Sequence, residues 1–489
     1  MTRLNWQVIL PVLALVMAAA GVGMAVCGLV AIGYGDGAGR AFAWSALIAL
    51  GLAGAGYAAG RRLPTRPFRA RDGFFAVTAV WVAAAAVGAL PFLLEGTFVR
   101  PSDAFFESMS GFTTTGATLI GDIEAQPRAI LLWRSLTQWI GGIGFIVLVV
   151  AVVPATGLVS QRFFYAETSG VTADRLTPRI ADTAKIIAAI YGVLTLAGFV
   201  AYRLAGMTSF DAVNHILTTL STGGHSTRDD SLAAFDSLSI EIVAMVFMIL
   251  GGINFAFYWR ALRGGVAGVP QLAEVRAYLG ILLVASAAVA ASLLLADDAE
   301  GLGEAVHHGT FTVVSLMTGT GFSIADFNTW NEFARTALLL LMFVGGCAGS
   351  SAGGMKVVRT MLLAKSATQE VKRQLQPKAV QVLRVRDRVF TEEVRRNVLG
   401  FFFIYMLVFA LATVALTASG LDLVSAASSA AATLNVVGPG LGEVGATENY
   451  EAVPTAGLWV LDACMLIGRL EVFTVLVLLL PAFWTRGRS

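Results

Sequence analysis

The chain has 489 residues, of which 56% are hydrophobic and only 13% charged, and its mean hydropathy is +0.74. A soluble protein would carry about a quarter charged residues, so the composition excludes a soluble globular fold and indicates a polytopic helical membrane protein. The formal net charge of +2 says little by itself. The three cysteines lie in apolar segments without a Cys/His cluster, so the sequence predicts neither a disulfide framework nor a structural metal site.

Long apolar segments predict ten membrane spans, each long enough to cross a hydrocarbon core of about 30 Å. Between pairs of spans lie four shorter, partly apolar segments that cannot cross the core, and each is predicted to be a re-entrant half-helix. The spans are 8–33, 41–60, 74–95, 130–153, 184–205, 238–259, 277–296, 335–363, 398–418 and 455–482, and the half-helices are 103–114, 210–221, 304–318 and 422–436.

Arginine and lysine are concentrated in alternate connections, at 61–73, 154–183, 260–276, 364–397 and the C-terminal tail. The other connections carry mostly aspartate and glutamate. The positive-inside rule therefore places both termini in the cytoplasm. The basic connection 364–397 has two interpretations at this point, attraction to anionic lipid or docking of another protein.

The half-helices belong to a repeat of roughly 100 residues, in the order span, half-helix, glycine-bearing loop, span. A second landmark recurs in the span after each loop, at Gly141-Gly142, Gly251-Gly252, Gly345-Gly346 and Gly468-Arg469. We therefore expect four units around a pseudo-fourfold pore, preceded by two extra N-terminal spans. The predicted boundaries are 1–72 for the extra spans and 73–158, 159–265, 266–365 and 366–489 for units 1 to 4, the last with its preceding basic connection.

The four loops have the composition of an ion filter. A cation that leaves water needs oxygen atoms in place of its hydration shell, and rings of backbone carbonyls supply them for potassium. Glycine allows the required dihedrals, and half-helix C-termini add partial negative charge. Aligned on one glycine each, the predicted filter consists of Thr114, Thr115, Gly116, Ser221, Thr222, Gly223, Gly319, Thr320, Gly321, Val436, Val437 and Gly438.

A run of small residues interrupts the predicted span 335–363. Each glycine inside a helix costs about 1 kcal/mol relative to alanine, so we predict a broken helix whose loop lies under the filter as a gate. A close helix crossing is the alternative explanation of such a run. The predicted gate residues are Gly345, Gly346, Gly349, Ser350, Ser351, Gly353, Gly354 and Lys356, together with Arg469 of the last span.

Arg469 replaces a landmark glycine and lies within a predicted span. An arginine there is costly and usually functional. The repeat places it toward the pore axis below the filter, where it would oppose cation passage. Pairing with an acid is the alternative, although the nearby Glu471 is predicted to face another side of the helix. Glu107, Arg134 and Glu241 are interpreted as members of scaffold pairs without assigned partners.

These motifs resemble the Trk/Ktr/HKT superfamily of potassium transporters, specifically its bacterial TrkH type. The resemblance spans residues 103 to 471 and rests on the motifs Thr113-Thr-Thr-Gly-Ala-Thr118, Leu136-Thr-Gln-Trp-Ile-Gly-Gly142, Ser221-Thr-Gly-Gly224, Gly345 to Lys356, Asn435-Val-Val-Gly-Pro-Gly440 and Gly468-Arg-Leu-Glu471. It implies potassium ions in the filter, a homodimer with one pore per subunit, and a cytoplasmic nucleotide-binding regulator of the TrkA type. It also implies a location in the bacterial cytoplasmic (inner) membrane. His225 departs from the pattern, because the resemblance leads us to expect an aromatic residue there.

The leading hypothesis is channel-like potassium uptake driven by membrane potential. The alternative within transport is a symporter coupled to protons or sodium. All four units run in one orientation, and no acid is evident beside the filter loops, which favours the channel. An enzyme is not expected, since the four histidines lack a catalytic spacing and Lys356 does not belong to a Walker A loop. No nucleic-acid partner and no covalently bound cofactor are predicted.

Overall fold

The computed structural model describes residues 4–64, 69–155, 180–265, 272–376, 383–385 and 388–485. Within these residues the fold is almost entirely helical, and two short strands form a small hairpin. In the described part of the chain, six helices are long and apolar enough to cross a membrane, and a seventh span is formed if one bent helix pair is counted. The predicted all-α polytopic membrane fold is confirmed. The arginines and lysines that contribute to the predicted orientation but lie outside the described residues are Arg66, Arg162, Arg175, Arg179, Lys378, Arg386, Arg486 and Arg488.

The two extra N-terminal spans are α1 (Trp6–Tyr34) and α2 (Gly39–Arg61). They pack against unit 1 around Trp133, whose ring lies 6.5 Å from Phe42 of α2 and 6.2 Å from Phe112. The Trp133 indole is fully buried and donates to the carbonyl of Gly88 at 3.0 Å. The extra pair thus buries the outer side of the first unit.

Each unit contributes a first span, a half-helix and a second span in this order. Unit 1 consists of α3 (Ala70–Gly88) with α4 (Leu90–Glu95), half-helix 1 (α5, Pro101–Thr113) and α6 (Arg128–Ala155). Unit 2 consists of α7 (Ile180–Leu204), half-helix 2 (α8, Ser209–Leu220), α9 (Leu238–Gly251) and α10 (Phe255–Gly264).

Units 3 and 4 repeat this order. Unit 3 consists of α11 (Leu272–Leu295), half-helix 3 (α12, Leu302–Thr318), α13 (Glu332–Val344) and α14 (Val357–Leu375). Unit 4 follows the hairpin of β1 (Leu383–Val385) and β2 (Arg388–Phe390), and consists of α15 (Glu392–Ala418), half-helix 4 (α16, Leu423–Leu434), α17 (Thr455–Arg469), α18 (Phe473–Leu479) and α19 (Pro481–Trp484). The hairpin was not predicted and lies in the basic connection 364–397.

The half-helices begin with local N-terminal signals. Half-helix 1 has Pro101 in its first turn, and Thr208 caps half-helix 2 by accepting from the backbone N–H of Asp211 at 3.1 Å. Asp422 caps half-helix 4 in the same way, and hydrogen bonds from Ser425 hold the pKa of its carboxyl below the ordinary value. All four half-helices agree with the predicted segments to within two residues.

Three of the four second spans break at the landmark. Helices α9 and α10 meet at 86°, with Asn254 capping the second by accepting from the N–H of Ala256 at 2.8 Å. Helices α13 and α14 are separated by residues 345–356, and α17 and α18 by residues 470–472. The predicted spans 238–259, 335–363 and 455–482 are therefore interrupted helices, whereas α6 continues through its landmark. The break within unit 3 was predicted from its run of small residues, and the break within unit 4 was not predicted.

Candidate functional site

The four glycine-bearing loops share one unusual backbone. In each loop a left-handed residue is followed, two positions later, by a left-handed glycine. The non-glycine members include Thr114 at φ 58°, Thr222 at φ 54° and Val436 at φ 60°. Left-handed residues that are not glycine are uncommon and persist only where surrounding contacts enforce them. The equivalent pairs are Thr114/Gly116, Thr222/Gly224, Gly319/Gly321 and Val436/Gly438.

The hydrogen bonds that end the half-helices give the same alignment. In each unit the residue between the two left-handed positions donates its N–H to the carbonyl five residues earlier. The bonds are Thr115 to Ser110 at 2.9 Å, Gly223 to Thr218 at 2.9 Å, Thr320 to Ser315 at 2.9 Å and Val437 to Ala432 at 2.8 Å. Two independent features thus establish one structural register for the four loops.

This register corrects the sequence alignment in unit 2. The predicted filter there was Ser221, Thr222 and Gly223, but the residue equivalent to Gly116 is Gly224. Ser221 has ordinary helical dihedrals and ends half-helix 2 as its C-cap. The two adjacent glycines of unit 2 made the sequence ambiguous by one position. The predicted triplets of units 1, 3 and 4 have the same register in the structure.

The loops close into a ring through contacts between their glycines and the carbonyls of neighbouring loops. A Cβ atom on Gly116 would collide with the carbonyl oxygen of Gly223, and one on Gly224 with that of Thr320. A Cβ on Gly321 would collide with the carbonyl oxygen of Val437. The circle closes at Gly438, where a Cβ would lie 2.7 Å from the carbonyl oxygen of Thr115. The chain therefore brings the four loops together in the order 1-2-3-4, in backbone-to-backbone contact.

Three hydroxyl groups of the loops have partners close by, whereas the buried hydroxyl of Thr114 has none among the described residues. The Thr115 hydroxyl lies 2.8 Å from that of Thr113, and the Thr320 hydroxyl lies 2.7 Å from that of Thr318. The Thr222 hydroxyl donates to the carbonyl of Ser221 at 2.7 Å. Loop 4 has valines at 436 and 437 and so no hydroxyl. The feature common to all four loops is the backbone, and its carbonyls are the oxygens available in every unit.

Two side chains that the sequence analysis did not select hold the ring from behind. Gln138 of α6 donates to the carbonyl of Gly223 at 2.7 Å and accepts from the N–H of His225 at 3.1 Å. Tyr450 donates its hydroxyl to the carbonyl of Gly438 at 2.6 Å and its backbone N–H to the carbonyl of Thr118 at 2.9 Å. Gln138 fixes loop 2 to unit 1, and Tyr450 joins loops 4 and 1. A buried glutamine in an apolar span was the signal available for Gln138.

A buried ion pair supports loop 1. Glu107 of half-helix 1 and Arg134 of α6 pair at 2.8 Å, with side chains 0% and 1% exposed. Glu107 also accepts from the Thr118 hydroxyl at 3.0 Å, and Arg134 donates to the carbonyl of Ser226 at 3.3 Å. The pair therefore fixes the outer ends of loops 1 and 2. Both residues were predicted to be scaffold members, and Glu241, the third, pairs with His307.

The landmark glycines allow the second spans to pack onto the ends of the half-helices. A Cβ on Gly141 would collide with the carbonyl of Phe112, and one on Gly468 with the carbonyl of Leu434. A Cβ on Gly251 would lie 2.9 Å from the carbonyl oxygen of Leu220. Each carbonyl belongs to the residue two positions before the first left-handed residue of its loop. In unit 3 the equivalent Gly345 instead faces the backbone of Gly353, because the span breaks there.

The segment 345–356 is a loop that lies directly below the ring. The Ser351 hydroxyl donates to the carbonyl of Leu220 at 2.9 Å and to that of Gly251 at 3.0 Å. The N–H of Gly354 donates to the carbonyl of Asn435 at 3.0 Å. The loop thus contacts the ends of half-helices 2 and 4 from the side opposite the outer ends of the loops. The expected broken helix is present, and Asn254 supports it by donating to the carbonyl of Ala348 at 2.6 Å.

Arg469 is buried beside this loop and contacts it directly. Its guanidinium donates to the carbonyl of Ser351 at 2.8 Å and to the landmark carbonyl of Gly141 at 3.1 Å, and it lies 5.9 Å from the Trp81 ring. Glu471 pairs instead with Arg359 at 2.6 Å. Lys356 is buried at the end of the loop and donates to the carbonyl of Ala352. Arg469 therefore connects the loop of unit 3 to the second span of unit 1.

The fold and the ring define a membrane transport protein with a pseudo-fourfold pore. The family model described as TrkH, cation transport protein, matches residues 44–280 and 298–485. The chain is 40% identical over 460 residues to the Trk system potassium uptake protein TrkH of Salmonella typhimurium, covering 94% of this chain and 95% of that protein. It is 34% identical over 487 residues to the Trk system potassium uptake protein TrkI of Halomonas elongata, covering 99% and 98%.

A solved structure gives the same result. The crystal structure of the potassium transporter TrkH from Vibrio parahaemolyticus matches with a TM-score of 0.89 and 38% identity, covering 99% of this chain and 100% of that one. The chain therefore belongs to the TrkH family of cation transport proteins. It is a transporter and not an enzyme, and the resemblance inferred from the sequence motifs is confirmed.

Proposed function

We propose that this protein takes up potassium across the cytoplasmic membrane through a pore whose selectivity filter is the ring of four loops. The observation that carries the proposal is the closed circle of glycine–carbonyl contacts that ends at Gly438 and Thr115. Such a ring presents carbonyl oxygens from four sides, which is how a dehydrated potassium ion is held. Relatives that are about 40% identical are named potassium uptake proteins.

In this proposal the filter uses backbone carbonyls, with potassium as the transported ion. Four half-helices end at the ring, and their C-terminal partial charges favour a cation at its centre. The valines of loop 4 contribute through their carbonyls as the threonines of loop 1 do. The proposed filter residues, in the structural register, are Thr114 to Gly116, Thr222 to Gly224, Gly319 to Gly321 and Val436 to Gly438.

The gate of this pore is the loop 345–356. It lies below the ring and hydrogen bonds to the ends of half-helices 2 and 4, so its displacement would open the path beneath the filter. Arg469 keeps the closed position in two ways, by its hydrogen bond to Ser351 and by its positive charge. Lys356, at the point where α14 begins, connects the loop to the segment that leads into the basic connection 364–397.

The proposal also covers the oligomeric state, the orientation in the membrane and the regulatory subunit. The protein works as a homodimer in the inner membrane with both termini in the cytoplasm. A cytoplasmic nucleotide-binding subunit of the TrkA type docks on the basic connection 364–397 and moves the gate through α14. The charge distribution of the connections supports the orientation, and the membership of a Trk system supports a regulatory subunit.

Flux measurements on purified protein in liposomes test the proposal. Uptake of Rb⁺ and of Na⁺ is compared under an imposed membrane potential, with and without a pH gradient. We expect Rb⁺ uptake that follows voltage and greatly exceeds Na⁺ uptake. Equal uptake of the two ions would refute the potassium filter.

The second candidate is a potassium symporter coupled to protons or sodium. A single observation favours the proton version, which is a buried carboxyl group, Asp462, without a hydrogen-bond partner among the described residues. Strict dependence of Rb⁺ uptake on the pH gradient, rather than on voltage, would establish symport in place of the channel.

A further inference from the structure

One buried carboxyl group differs from all the others that the structure describes. Seven aspartates and glutamates are buried, and six of them have a backbone or side-chain partner. Asp462, in the middle of α17, is 4% exposed, and neither of its carboxylate oxygens has a hydrogen-bond partner within the described part of the chain. The six partnered groups are Asp72 with Asn5, Asp103 with Arg100, Glu107 with Arg134, Asp211 with Thr227, Glu241 with His307 and Glu274 with Ala348.

The elements packed against α17 supply no countercharge for this group. They are half-helix 1, half-helix 4, α15 and α18. The acids of half-helix 1 are paired as given above, and half-helix 4 contains no ionisable residue between Leu423 and Leu434. On α15, Tyr405 donates to the carbonyl of Leu434 at 3.1 Å. Glu392 and Arg395 pair with each other at the start of α15, and Glu393 and Arg396 lie beside them in its first turns. The ionisable groups on α17 itself are Cys464 and Arg469.

A carboxylate buried without a partner is costly, whereas the neutral acid is tolerated. Ionisable residues inside membrane spans are rare and usually functional. We propose that Asp462 is a proton-binding site that sets how strongly transport responds to pH. The ligand is a proton exchanged with water, and the O–H bond of the carboxyl group is the one that breaks or forms.

The position of Asp462 connects this site to the gate. Asp462 and Arg469 are seven residues apart on one helix, which is two turns along the same face or about 10 Å. Arg469 donates to the carbonyl of Ser351 in the gate loop. When Asp462 loses its proton, its negative charge attracts the guanidinium and weakens that hydrogen bond. The gate loop is then less firmly held, and transport increases.

The proposal rests on the potassium transport function above and is tested separately from it. Voltage-driven Rb⁺ uptake by the unmodified protein in liposomes is measured from mildly acidic to mildly alkaline pH, with equal pH on both sides. We expect uptake to rise several-fold toward alkaline pH. Absence of Rb⁺ uptake at every pH would refute the transport function, whereas uptake that is independent of pH would refute only the proton site.

Three variants test whether Asp462 is the group that binds the proton. Asp462→Asn imitates the protonated acid, and we expect its uptake to stay at the acidic level of the unmodified protein at every pH. Asp462→Glu keeps a carboxyl group and should keep the rise. Asp422→Asn is the matched control. It makes the same substitution at an exposed N-cap, where asparagine caps a helix as well as aspartate does, and its pH profile should be unchanged.

The proposal is overturned if Asp462→Asn retains the pH profile of the unmodified protein. It is also overturned if Asp462→Asn and Asp462→Glu are both inactive while remaining folded, as judged by size-exclusion chromatography and thermal unfolding. In that case the residue would be needed for packing and not for binding a proton.

Discussion

Gly438 of the fourth loop lies against the carbonyl of Thr115 of the first, so that a Cβ on Gly438 would be 2.7 Å from that oxygen. Thr115 lies in the first unit and Gly438 in the last, and their contact converts a row of four loops into a ring. Glycine is required at 438 for two reasons. It leaves room for the carbonyl of Thr115, and its φ of 99° is one that residues with a side chain rarely adopt. The geometry of any one loop therefore depends on all four.

Selectivity should be lost when the ring is disturbed in loop 1. In Gly116→Ser the added atoms meet the carbonyl of Gly223, and the residue must also adopt a φ of 88°. Strain of this kind costs about 1–3 kcal/mol, and 1.4 kcal/mol corresponds to about tenfold in an equilibrium. We expect the preference for Rb⁺ over Na⁺ in liposome uptake to fall by roughly tenfold or more.

The matched control for this change is Gly121→Ser, a few residues further along the chain. A Cβ on Gly121 would meet only the side chains of Asn449 and Glu451, at the ordinary distances of 3.6 Å and 3.7 Å. Its selectivity should equal that of the unmodified protein. If Gly116→Ser remains as selective as Gly121→Ser, loop 1 does not belong to the filter.

Removal of the Arg469 side chain should increase cation flux. Arg469→Ala deletes the donors to Ser351 and Gly141 and also the positive charge below the filter. Hydrogen bonds from charged groups contribute about 1.5–3 kcal/mol, so we expect uptake to rise by roughly tenfold. Arg469→Lys keeps the charge with fewer donors and should give an intermediate value. Unchanged or lower uptake at normal expression would exclude the barrier role.

The ion pair between Arg359 and Glu471 should help to hold the proposed gate loop, residues 345–356, in place. It joins the first turn of α14 to the break after α17, and the guanidinium also lies 4.2 Å from the Phe401 ring centre. We expect Arg359→Glu and Glu471→Arg, made singly, each to increase basal uptake and lower the midpoint of thermal unfolding.

Charge exchange tests the pairing directly. The double variant with both substitutions restores opposite charges across the contact. Its basal uptake and its unfolding midpoint should both return part of the way to the values of the unmodified protein. The return is incomplete because the contact of Arg359 with the Phe401 ring is not replaced. Effects that simply add in the double variant would show that the two residues act independently.

Breaking the buried pair of Glu107 and Arg134 should destabilise the protein. Glu107→Gln leaves the arginine without its counterion in a site that is fully enclosed. Breaking a buried ion pair costs about 3–5 kcal/mol, so the free energy of unfolding should fall by an amount in that range. Because Glu107 also holds Thr118, Rb⁺ selectivity should decline as well.

Addition of Arg134→Met to Glu107→Gln provides the comparison, because it removes the uncompensated charge and should return part of the stability. Thermal unfolding of both purified variants measures the difference. A double variant less stable than Glu107→Gln would argue that Arg134 acts through Ser226 rather than through the pair.

The sequence was informative where structure is determined locally. Half-helix bounds followed from apolar segments too short to cross the membrane, and the broken span of unit 3 followed from its run of small residues. The predicted triplet of unit 2 lies one residue out of the structural register, because Gly223 and Gly224 are both glycines and the first left-handed position is occupied by Thr222. Residue type alone does not identify a left-handed threonine.

Contacts between distant segments were beyond sequence reasoning. Gln138 and Tyr450 stabilise loops formed elsewhere in the chain, and their partners are carbonyls, which every residue has. The sequence argument against proton coupling also relied on finding no acid near the filter loops. Asp462 lies in an apolar span, and its lack of a hydrogen-bond partner among the described residues is evident only once its neighbours are in place.

The central proposal is that four loops form one potassium filter. Its most direct test is the reversal potential of the reconstituted protein with K⁺ on one side and Na⁺ on the other, compared with Gly116→Ser, Gly224→Ser, Gly321→Ser and Gly438→Ser. We expect a value near the potassium equilibrium potential for the unmodified protein and a shift toward zero in all four variants. A value near zero for the unmodified protein, or unshifted values in the variants, would contradict the filter.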